Sequence, residues 1–267
     1  MQKRYLDRYR YFKEQEYTTA KYVMPFVSEV MNINEGTSVL EIGCGEGGNL
    51  KPFLDMGCKV TGIDIDKIQI QNAEKFFERH EKRENLKLFA ADIYAVDDPA
   101  LKFDLVMMRD VVEHIRDQEK FMNFVKKFFK AGGKLFIGFP PWQNPFGGHQ
   151  QSCNSQVLQR TPFIHLLPPA MYKGLMKLFG ESDETVAAMM EIRSTGITIE
   201  RFRKILADEN YSVDKEIFYF INPNYEIKYK LKPVRQSRII ASIPYVRDFL
   251  TTTFYCVVSP ENSGSNL

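Results

Sequence analysis

A glycine-rich stretch, residues 38–50, constrains the fold of this chain more than any other part of its sequence. It reads SVLEIGCGEGGNL: an apolar run typical of a buried strand, four glycines within six residues, and then a helix-like sequence. Glycine is needed where a backbone takes a positive φ or where a ligand comes closer than a Cβ would permit. The N terminus of the following helix offers free N–H groups. The stretch therefore predicts a strand, a tight turn and a helix that together bind a ligand.

The spacing of these glycines does not by itself identify the ligand. Gly43, Gly45 and Gly48 fit the dinucleotide fingerprint, and Gly43, Gly45 and Gly47 fit a nucleoside-binding turn equally well. About twenty residues later, a second apolar run ends in Asp64, where a ribose diol would be held in either case. We therefore expect a nucleoside-containing ligand, with a turn that binds nothing as the alternative.

The composition is that of an ordinary globular protein. The chain has 267 residues with 44% hydrophobic and 26% charged, which favours one elaborated domain over two equal ones. Its net charge is +2, so no nucleic-acid partner is expected. The cysteines form no CxxC pair and have no histidine at ligand spacing, which indicates reduced thiols and no metal site; they are Cys44, Cys58, Cys153 and Cys256.

Targeting signals and membrane spans are not expected from the sequence. Residues 1–7 lack the apolar core of a signal peptide. Residues 239–258 are apolar, but Pro244, Arg247 and Asp248 interrupt them, which argues against a transmembrane helix. We therefore expect a cytoplasmic protein.

Apolar runs alternate with helical patterns through the first half of the chain. Residues 1–34 predict a helical segment ahead of the first strand, and 35–267 predict the main domain. The alternation is typical of an α/β fold with a doubly wound parallel sheet. Because the carboxyl ends of such strands meet at one edge, we expect one cleft to collect the four residues that end strands, which are Glu41, Asp64, Asp92 and Arg109. Each of the three carboxylates could instead cap the helix that follows it.

These motifs, in this order, resemble the class I S-adenosylmethionine-dependent methyltransferases. The resemblance runs through residues 39–47, 62–66, 90–93 and 103–115, and it covers roughly residues 35–140. The acidic residue two positions before the first glycine and the pair Glu113-His114 distinguish the pattern from nicotinamide enzymes.

The resemblance implies a Rossmann-like, mostly parallel seven-stranded sheet with an antiparallel terminal strand, for which 214–222 and 252–259 are the candidate hairpin. It also implies S-adenosylmethionine as the cofactor. Arg109 is an unusual residue for the methionine end. The implied contacts are the backbone of Gly43, Cys44 and Gly45, Glu41 near the amino-acid moiety, Asp64 on the ribose, and Ile65, Asp92 and Ile93 around the adenine.

Methyl transfer needs an acceptor held in line with the S–CH₃ bond and a base only where the acceptor must lose a proton. His114 and His149 are the candidate bases, and each could instead have a structural role. An Asn-Pro-Pro-Tyr motif is absent after the fourth strand, so O- or C-methylation of a small-molecule or sugar-type acceptor is favoured over nucleobase N-methylation.

Two segments outside these motifs bear on the acceptor. Residues 147–195 follow the loop that contains Trp142 and predict a helical cover over the acceptor pocket, with a surface elaboration or a dimer contact as the alternative. The basic residues of 225–238 suit a phosphorylated or lipid-linked acceptor or a peripheral membrane contact, or else form a solvated edge.

Two other functions remain open at the level of sequence. A nicotinamide-dependent oxidoreductase would explain the glycine turn but not Glu113-His114 or a final hairpin, and binding of a reduced dinucleotide would support it. A non-catalytic nucleoside-binding module of the same fold would bind the cofactor without methylating any acceptor.

Overall fold

The computed structural model describes residues 7–98 and 100–261. The predicted N-terminal segment 1–34 and main domain 35–267 therefore extend, at residues 1–6 and 262–267, outside the described residues. The strands are β1 (Ser38–Ile42), β2 (Lys59–Asp64), β3 (Leu86–Ala90), β4 (Phe103–Arg109), β5 (Phe129–Phe139), β6 (Tyr211–Ile221), β7 (Val234–Arg235) and β8 (Thr253–Pro260).

All the strands of the described residues belong to one sheet, in the order β3-β2-β1-β4-β5-β8-β6-β7. The pairs among β1 to β5 are parallel, whereas β8 runs antiparallel to both β5 and β6. The predicted α/β sheet with an antiparallel terminal strand is confirmed. One further strand, the two-residue β7, extends the edge beside β6.

Helices cover both faces of this sheet. A π-helical turn at Thr19–Val23 joins the first two into one continuous element. The α-helices are α1 (Arg8–Thr18), α2 (Met24–Ser28), α3 (Lys51–Met56), α4 (Lys67–Phe77), α5 (Gln118–Val125), α6 (Gln156–Arg160), α7 (Pro169–Leu178), α8 (Asp183–Thr195), α9 (Ile199–Asp208), α10 (Asn224–Tyr229), α11 (Arg238–Ala241) and α12 (Val246–Phe249).

Strand β5 begins at Phe129 and includes Gly132 and Gly133. A Cβ at Gly133 would lie 2.8 Å from the carbonyl oxygen of Phe103. Without that Cβ, the strand passes close to β4, and the pairing shifts register between Phe103 and Leu105. These glycines therefore allow an irregular strand start instead of ending the preceding helix.

The N-terminal helices belong to the core of the sheet. Phe12, Val23, Phe26 and Val27 are buried in one cluster with side chains of the central strands. Phe26 packs edge-on against Phe136 of β5 and Tyr255 of β8, with 6.2 Å between ring centroids in each case. Residues 8–28 therefore pack on one face of the sheet, over β5 and β8, and stabilise it.

The predicted helical insertion after β5 is confirmed, and it contains α6, α7 and α8. It has a small core of its own, formed by Cys153, Leu158, Ile164, Tyr172, Met176, Val186 and Met189. Its end is tied to the main domain where Gln118 Nε2 donates to the carbonyl oxygen of Thr195 at 2.7 Å. Among the helices of residues 7–98 and 100–261, none is both long and apolar enough to cross a membrane.

Glu41 is a fully buried carboxyl group in β1, the central strand of the sheet. Asn49 Nδ2 donates to its Oε1 at 2.7 Å, and Oε2 has no hydrogen-bond partner among the described residues. Burial raises the pKa of Glu41 from 4.5 to about 8, against the opposing effects of Asn49 and Arg109. Between these two pKa values the folded state binds the proton and the unfolded state does not, so stability falls as pH rises.

Substitution of Phe26 tests whether the N-terminal helix is part of the core. We expect Phe26→Ala to lower the free energy of unfolding by about 3 to 5 kcal/mol, the usual cost of truncating a buried aromatic side chain. The matched control is Phe220→Ala in β6, where the ring is 48% exposed; it should change stability by no more than about 0.5 kcal/mol. Urea denaturation measures both, and equal losses would contradict the assignment.

Substitution of Glu41 tests the pH dependence. From about pH 5 to about pH 8, we expect the wild-type protein to lose roughly 1 kcal/mol or more of stability relative to Glu41→Gln, since one pKa unit corresponds to about 1.4 kcal/mol. The comparison uses denaturation at several pH values. Glu35→Gln, at an exposed position, should follow the wild type. A stability difference between wild type and Glu41→Gln that does not vary with pH would show that this carboxyl does not titrate as described.

Candidate functional site

A cavity of about 850 Å³ opens at the carboxyl ends of the central strands. This volume lies in the range of small-molecule sites. Its wall combines the turn after β1, the end of β2, residues 91–94 after β3 and residues 109–117 after β4. Parallel strands deliver these segments to one edge, as the sequence predicted. Helix α1 adds Tyr11 and Gln15 from the other side.

The glycine turn is held in place by Asp64. The backbone N–H of Gly45 donates to Asp64 Oδ2 at 2.7 Å, and that of Asp66 donates to Oδ1 at 2.8 Å. Gly43 has a φ of 72°, and a Cβ there would lie 2.5 Å from Val111 Cγ2. The turn therefore needs glycine both for its conformation and for its contact with the segment after β4.

Apolar and acidic groups alternate at one end of the cavity. Ile65 lines it and is 76% exposed, an unusual position for a large aliphatic side chain. Asp92 and Ile93 also line it. Asp92 in addition accepts a hydrogen bond from the Tyr94 N–H at 2.9 Å, so its carboxylate caps a short 3₁₀ turn as well as facing the cavity.

Three predicted site residues form a buried layer at or below the cavity floor. Glu41 and Cys44 are buried, and neither is among the described residues that line the cavity. Arg109 does line it, although it is 6% exposed. Its Nη1 donates to Asn49 Oδ1 at 2.9 Å, and Nη2 donates to Asn224 of α10. Arg109 is therefore tied to Glu41 through Asn49.

The two predicted candidate bases lie next to each other. The rings of His114 and His149 have centroids 5.1 Å apart at an interplanar angle of 78°. His114 lines the cavity, at the end of the 3₁₀ turn Val112–His114. Burial lowers the pKa of His114, and it lowers the pKa of His149 to about 4. Both imidazoles are therefore neutral at pH 7.

Glu113 joins these two histidines, which the sequence analysis did not foresee. Ligand atoms of Glu113, His114 and His149 all lie within 4.8 Å of one another. Burial, and secondarily the charge of Asp110, raises the pKa of Glu113 well above its ordinary value. The sequence signal was the adjacency of Glu113 and His114; nothing local indicated that residue 149 would meet them.

The predicted cover does not line the cavity. Among the described residues that line it, none belongs to 147–195, and Trp142 is also absent. The Trp142 ring instead packs edge-on against His165, with centroids 4.7 Å apart. The insertion approaches the cavity wall through His149, beside His114, and through Glu191, which accepts a hydrogen bond from Arg116 at 2.6 Å. The assignment of this segment as a cover stays a prediction.

Gln15 was also missed as a site residue. It lies one helical turn after Tyr11, and this spacing of four residues was the available signal. Its buried Oε1 has no hydrogen-bond partner among the described residues. Because its lining includes both the exposed Ile65 side chain and this unpaired polar atom, the cavity suits a ligand with an aromatic base and a charged polar tail, as in S-adenosylmethionine.

Comparison with known sequences agrees with this geometry. A family model described as a methyltransferase domain matches residues 11–180. Phosphoethanolamine N-methyltransferase 2 of Caenorhabditis elegans is 27% identical over 189 residues, which is 70% of this chain and 40% of that protein. The mitochondrial ubiquinone biosynthesis O-methyltransferase of Mus musculus is 36% identical over 105 residues, which is 38% of this chain and 28% of that protein. The chain thus spans less than half the length of these relatives.

Solved structures share the fold at low sequence identity. Magnesium protoporphyrin IX methyltransferase from Synechocystis PCC 6803, with bound S-adenosylhomocysteine (SAH), is similar with a TM-score of 0.56 and 16% identity, over 94% of this chain and 84% of that one. The plantazolicin methyltransferase BpumL, in complex with a triazolic desmethylPZN analog and SAH, gives a TM-score of 0.57 and 13% identity, over 92% of this chain and 84% of that one. The family model matches well over half of the chain, so this protein belongs to the methyltransferase domain family.

Proposed function

We propose that this methyltransferase acts on an oxygen or carbon atom of a small-molecule or sugar-type acceptor. The observation that carries the proposal is that His114 lines the same cavity as Gly43, Gly45 and Asp64. A hydroxyl or acidic C–H group gives up a proton on methylation, and an imidazole accepts one near neutral pH. An acceptor that lies against His114 would therefore find the methyl donor and a group that accepts its proton in one cavity.

The same cavity supports an assignment of the cofactor contacts. S-adenosylmethionine supplies an electrophilic methyl group. The Asp64 carboxylate uses one lone pair of each oxygen for backbone amides, which leaves lone pairs free for both ribose hydroxyls. We assign the adenine to Ile65, Asp92 and Ile93, and the contacts of the turn to the backbone of Gly43, Cys44 and Gly45. We assign the amino-acid end of the cofactor to Arg109 and Gln15. Glu41 does not touch the cofactor in this assignment but holds Asn49, which accepts a hydrogen bond from Arg109.

The names of the relatives support two acceptor classes. Several are ubiquinone biosynthesis O-methyltransferases, at 33 to 36% identity over about 105 residues. The phosphoethanolamine N-methyltransferase matches a larger share of this chain, 70%. N-methylation of a small amine is therefore the second candidate. The match to a methyltransferase domain argues against a nicotinamide-dependent oxidoreductase. A non-catalytic module of the same fold stays an alternative, and it predicts no methylated product from any acceptor.

The basic segment 225–238 stays a candidate contact for a phosphorylated or lipid-linked acceptor. Its first part forms α10, in which Glu226 accepts hydrogen bonds from Lys21, Tyr17 and Tyr22. Leu231 and Val234 are 49% and 44% exposed. Exposed apolar groups among lysines suit a peripheral lipid surface. The cytoplasmic location likewise stays a prediction.

An acceptor panel tests the proposed reaction. The protein is incubated with methyl-labelled S-adenosylmethionine and phenols, sugars, β-dicarbonyl compounds or phosphoethanolamine, and the products are identified by mass spectrometry. We expect O- or C-methyl products, and we expect His114→Asn to lower kcat by about 100-fold or more while SAH affinity stays within a few-fold. His80→Asn, outside the cavity lining, should match the wild type. Methylation of the amine alone would overturn the proposal in favour of the second candidate.

Substitution of Asp64 tests the ribose assignment. Asp64→Ala removes charge-assisted hydrogen bonds to the ribose, so SAH affinity measured by calorimetry should fall by at least about tenfold. The matched control is Asp66→Ala, which removes the cap of α4 at a position outside the cavity lining; it should lower the melting temperature and leave SAH affinity within a few-fold. Unchanged affinity in a folded Asp64→Ala protein would show that the ribose is held elsewhere.

A further inference from the structure

Three side chains of metal-ligand type converge from two distant segments beside the cavity, and one of them, His114, lines it. Glu113 and His114 belong to the 3₁₀ turn after β4, and His149 lies in the loop after β5. The ligand atoms of the three lie within 4.8 Å of one another. In a tetrahedral site with ligands about 2.0 to 2.1 Å from the ion, donor atoms are about 3.4 Å apart. Small side-chain rotations would therefore bring the three onto one ion.

The Glu113 carboxyl group lacks the partners that a buried acid needs. It is 4% exposed, and neither of its oxygens has a hydrogen-bond partner among the described residues. Burying a polar group without a hydrogen bond costs free energy, and burying an unpaired charge costs more. The backbone turn nevertheless directs this side chain to the two imidazoles. A cation bound by all three groups would remove the penalty.

The loop holds His149 in a demanding conformation. His149 has a φ of 54°, in the left-handed region that non-glycine residues rarely adopt. The preceding Gly148 packs so closely that a Cβ there would lie 2.2 Å from His165 Cβ. His165 is itself fixed, with its Nε2 2.7 Å from the carbonyl oxygen of Trp142. Packing therefore sets the backbone position from which the His149 side chain extends, as expected for a built ligand site.

We propose that Glu113, His114 and His149 bind a divalent cation of the Zn²⁺ type, and that this cation takes an oxygen of the methyl acceptor as a further ligand. Two imidazoles and one carboxylate are a donor set of catalytic zinc sites, in which a fourth position stays open for water or substrate. His114 lines the cavity, so an ion on its ring nitrogen would lie at the cavity wall. The inference rests on the proposed O-methylation and differs from the sequence prediction of no metal.

The cation would change how the acceptor loses its proton. A hydroxyl oxygen bound to a divalent cation has a lowered pKa, so its O–H bond breaks more easily. The proton leaves to solvent, the electron pair stays on the oxygen, and the cation is neither oxidised nor reduced. His114 then acts as a ligand instead of accepting the proton itself. An acceptor with a hydroxyl or enol oxygen fits this site better than an amine, since ammonium groups repel a cation.

Metal binding by the full-length protein tests the inference. Protein stripped with a chelator is titrated with ZnCl₂ and with MnCl₂ by calorimetry in the presence of SAH, and CoCl₂ is added to follow its visible absorption. We expect one high-affinity ion per chain. His149→Asn, which tolerates the left-handed backbone, and Glu113→Gln should each weaken Zn²⁺ binding by at least about tenfold, a loss that even outer-shell partners cause. His80→Asn, at the histidine beside Asp55, should bind as the wild type does.

The outcomes separate this inference from the acceptor proposal. Zn²⁺ affinity that is unchanged in both His149→Asn and Glu113→Gln, or a wild-type protein that binds neither Zn²⁺ nor Mn²⁺, overturns the cation site. SAH binding in the same titrations shows whether each variant remains folded. If both variants lose Zn²⁺ and retain SAH, the site is supported even where the acceptor panel yields only an N-methyl product, in which case the acceptor proposal alone fails.

Discussion

The Asp64 carboxylate makes the contact on which the rest of the site depends. Its two oxygens accept the backbone N–H groups of Gly45 and Asp66, so one side chain joins the turn after β1 to the start of α4. Charge-assisted bonds of this kind are stronger than neutral ones. They add to the bonds that the backbone N–H groups of Gly43 and Cys44 donate to the Ile63 carbonyl oxygen, and together these bonds hold the left-handed conformation at Gly43 and Gly45. The cavity wall exists because this turn is kept close to the ends of the neighbouring strands.

Below that turn, a buried polar chain connects parts of the molecule that are far apart in sequence. Glu41 accepts from Asn49, Asn49 accepts from Arg109, and Arg109 also donates to Asn224. The chain links β1, β4 and α10, and α10 packs on α1 through Glu226. A guanidinium group can satisfy several acceptors at once because it carries five donors. This explains how Arg109 can line the cavity and at the same time hold Asn49 and Asn224 beneath it.

The insertion shows how a segment can contribute to a site without covering it. Its helices bury a core of their own and pack beside the 3₁₀ turn that carries His114. It reaches the residues that line the cavity at two points: His149 lies beside His114, and Glu191 of α8 accepts a hydrogen bond from Arg116 at 2.6 Å. This separate core uses part of its apolar composition, whereas Met171 and Leu178 of α7 stay 59% and 80% exposed. The sequence pattern could not distinguish a segment with its own core from a cover over a ligand, because both bury similar side chains.

The sequence by itself determined the sheet, the turn and the strand-end residues, because each depends on local patterns. Alternating apolar runs predict parallel strands, glycines with positive φ mark the turn, and Asp64 and Asp92 follow strands whose ends must meet. The tertiary structure decided which of those residues reach the cavity: Ile65 is bare within it, whereas Glu41 and Cys44 lie beneath it. It also decided that Glu113 and His149 would meet. Contacts between residues far apart in the chain follow from packing, which no local pattern encodes.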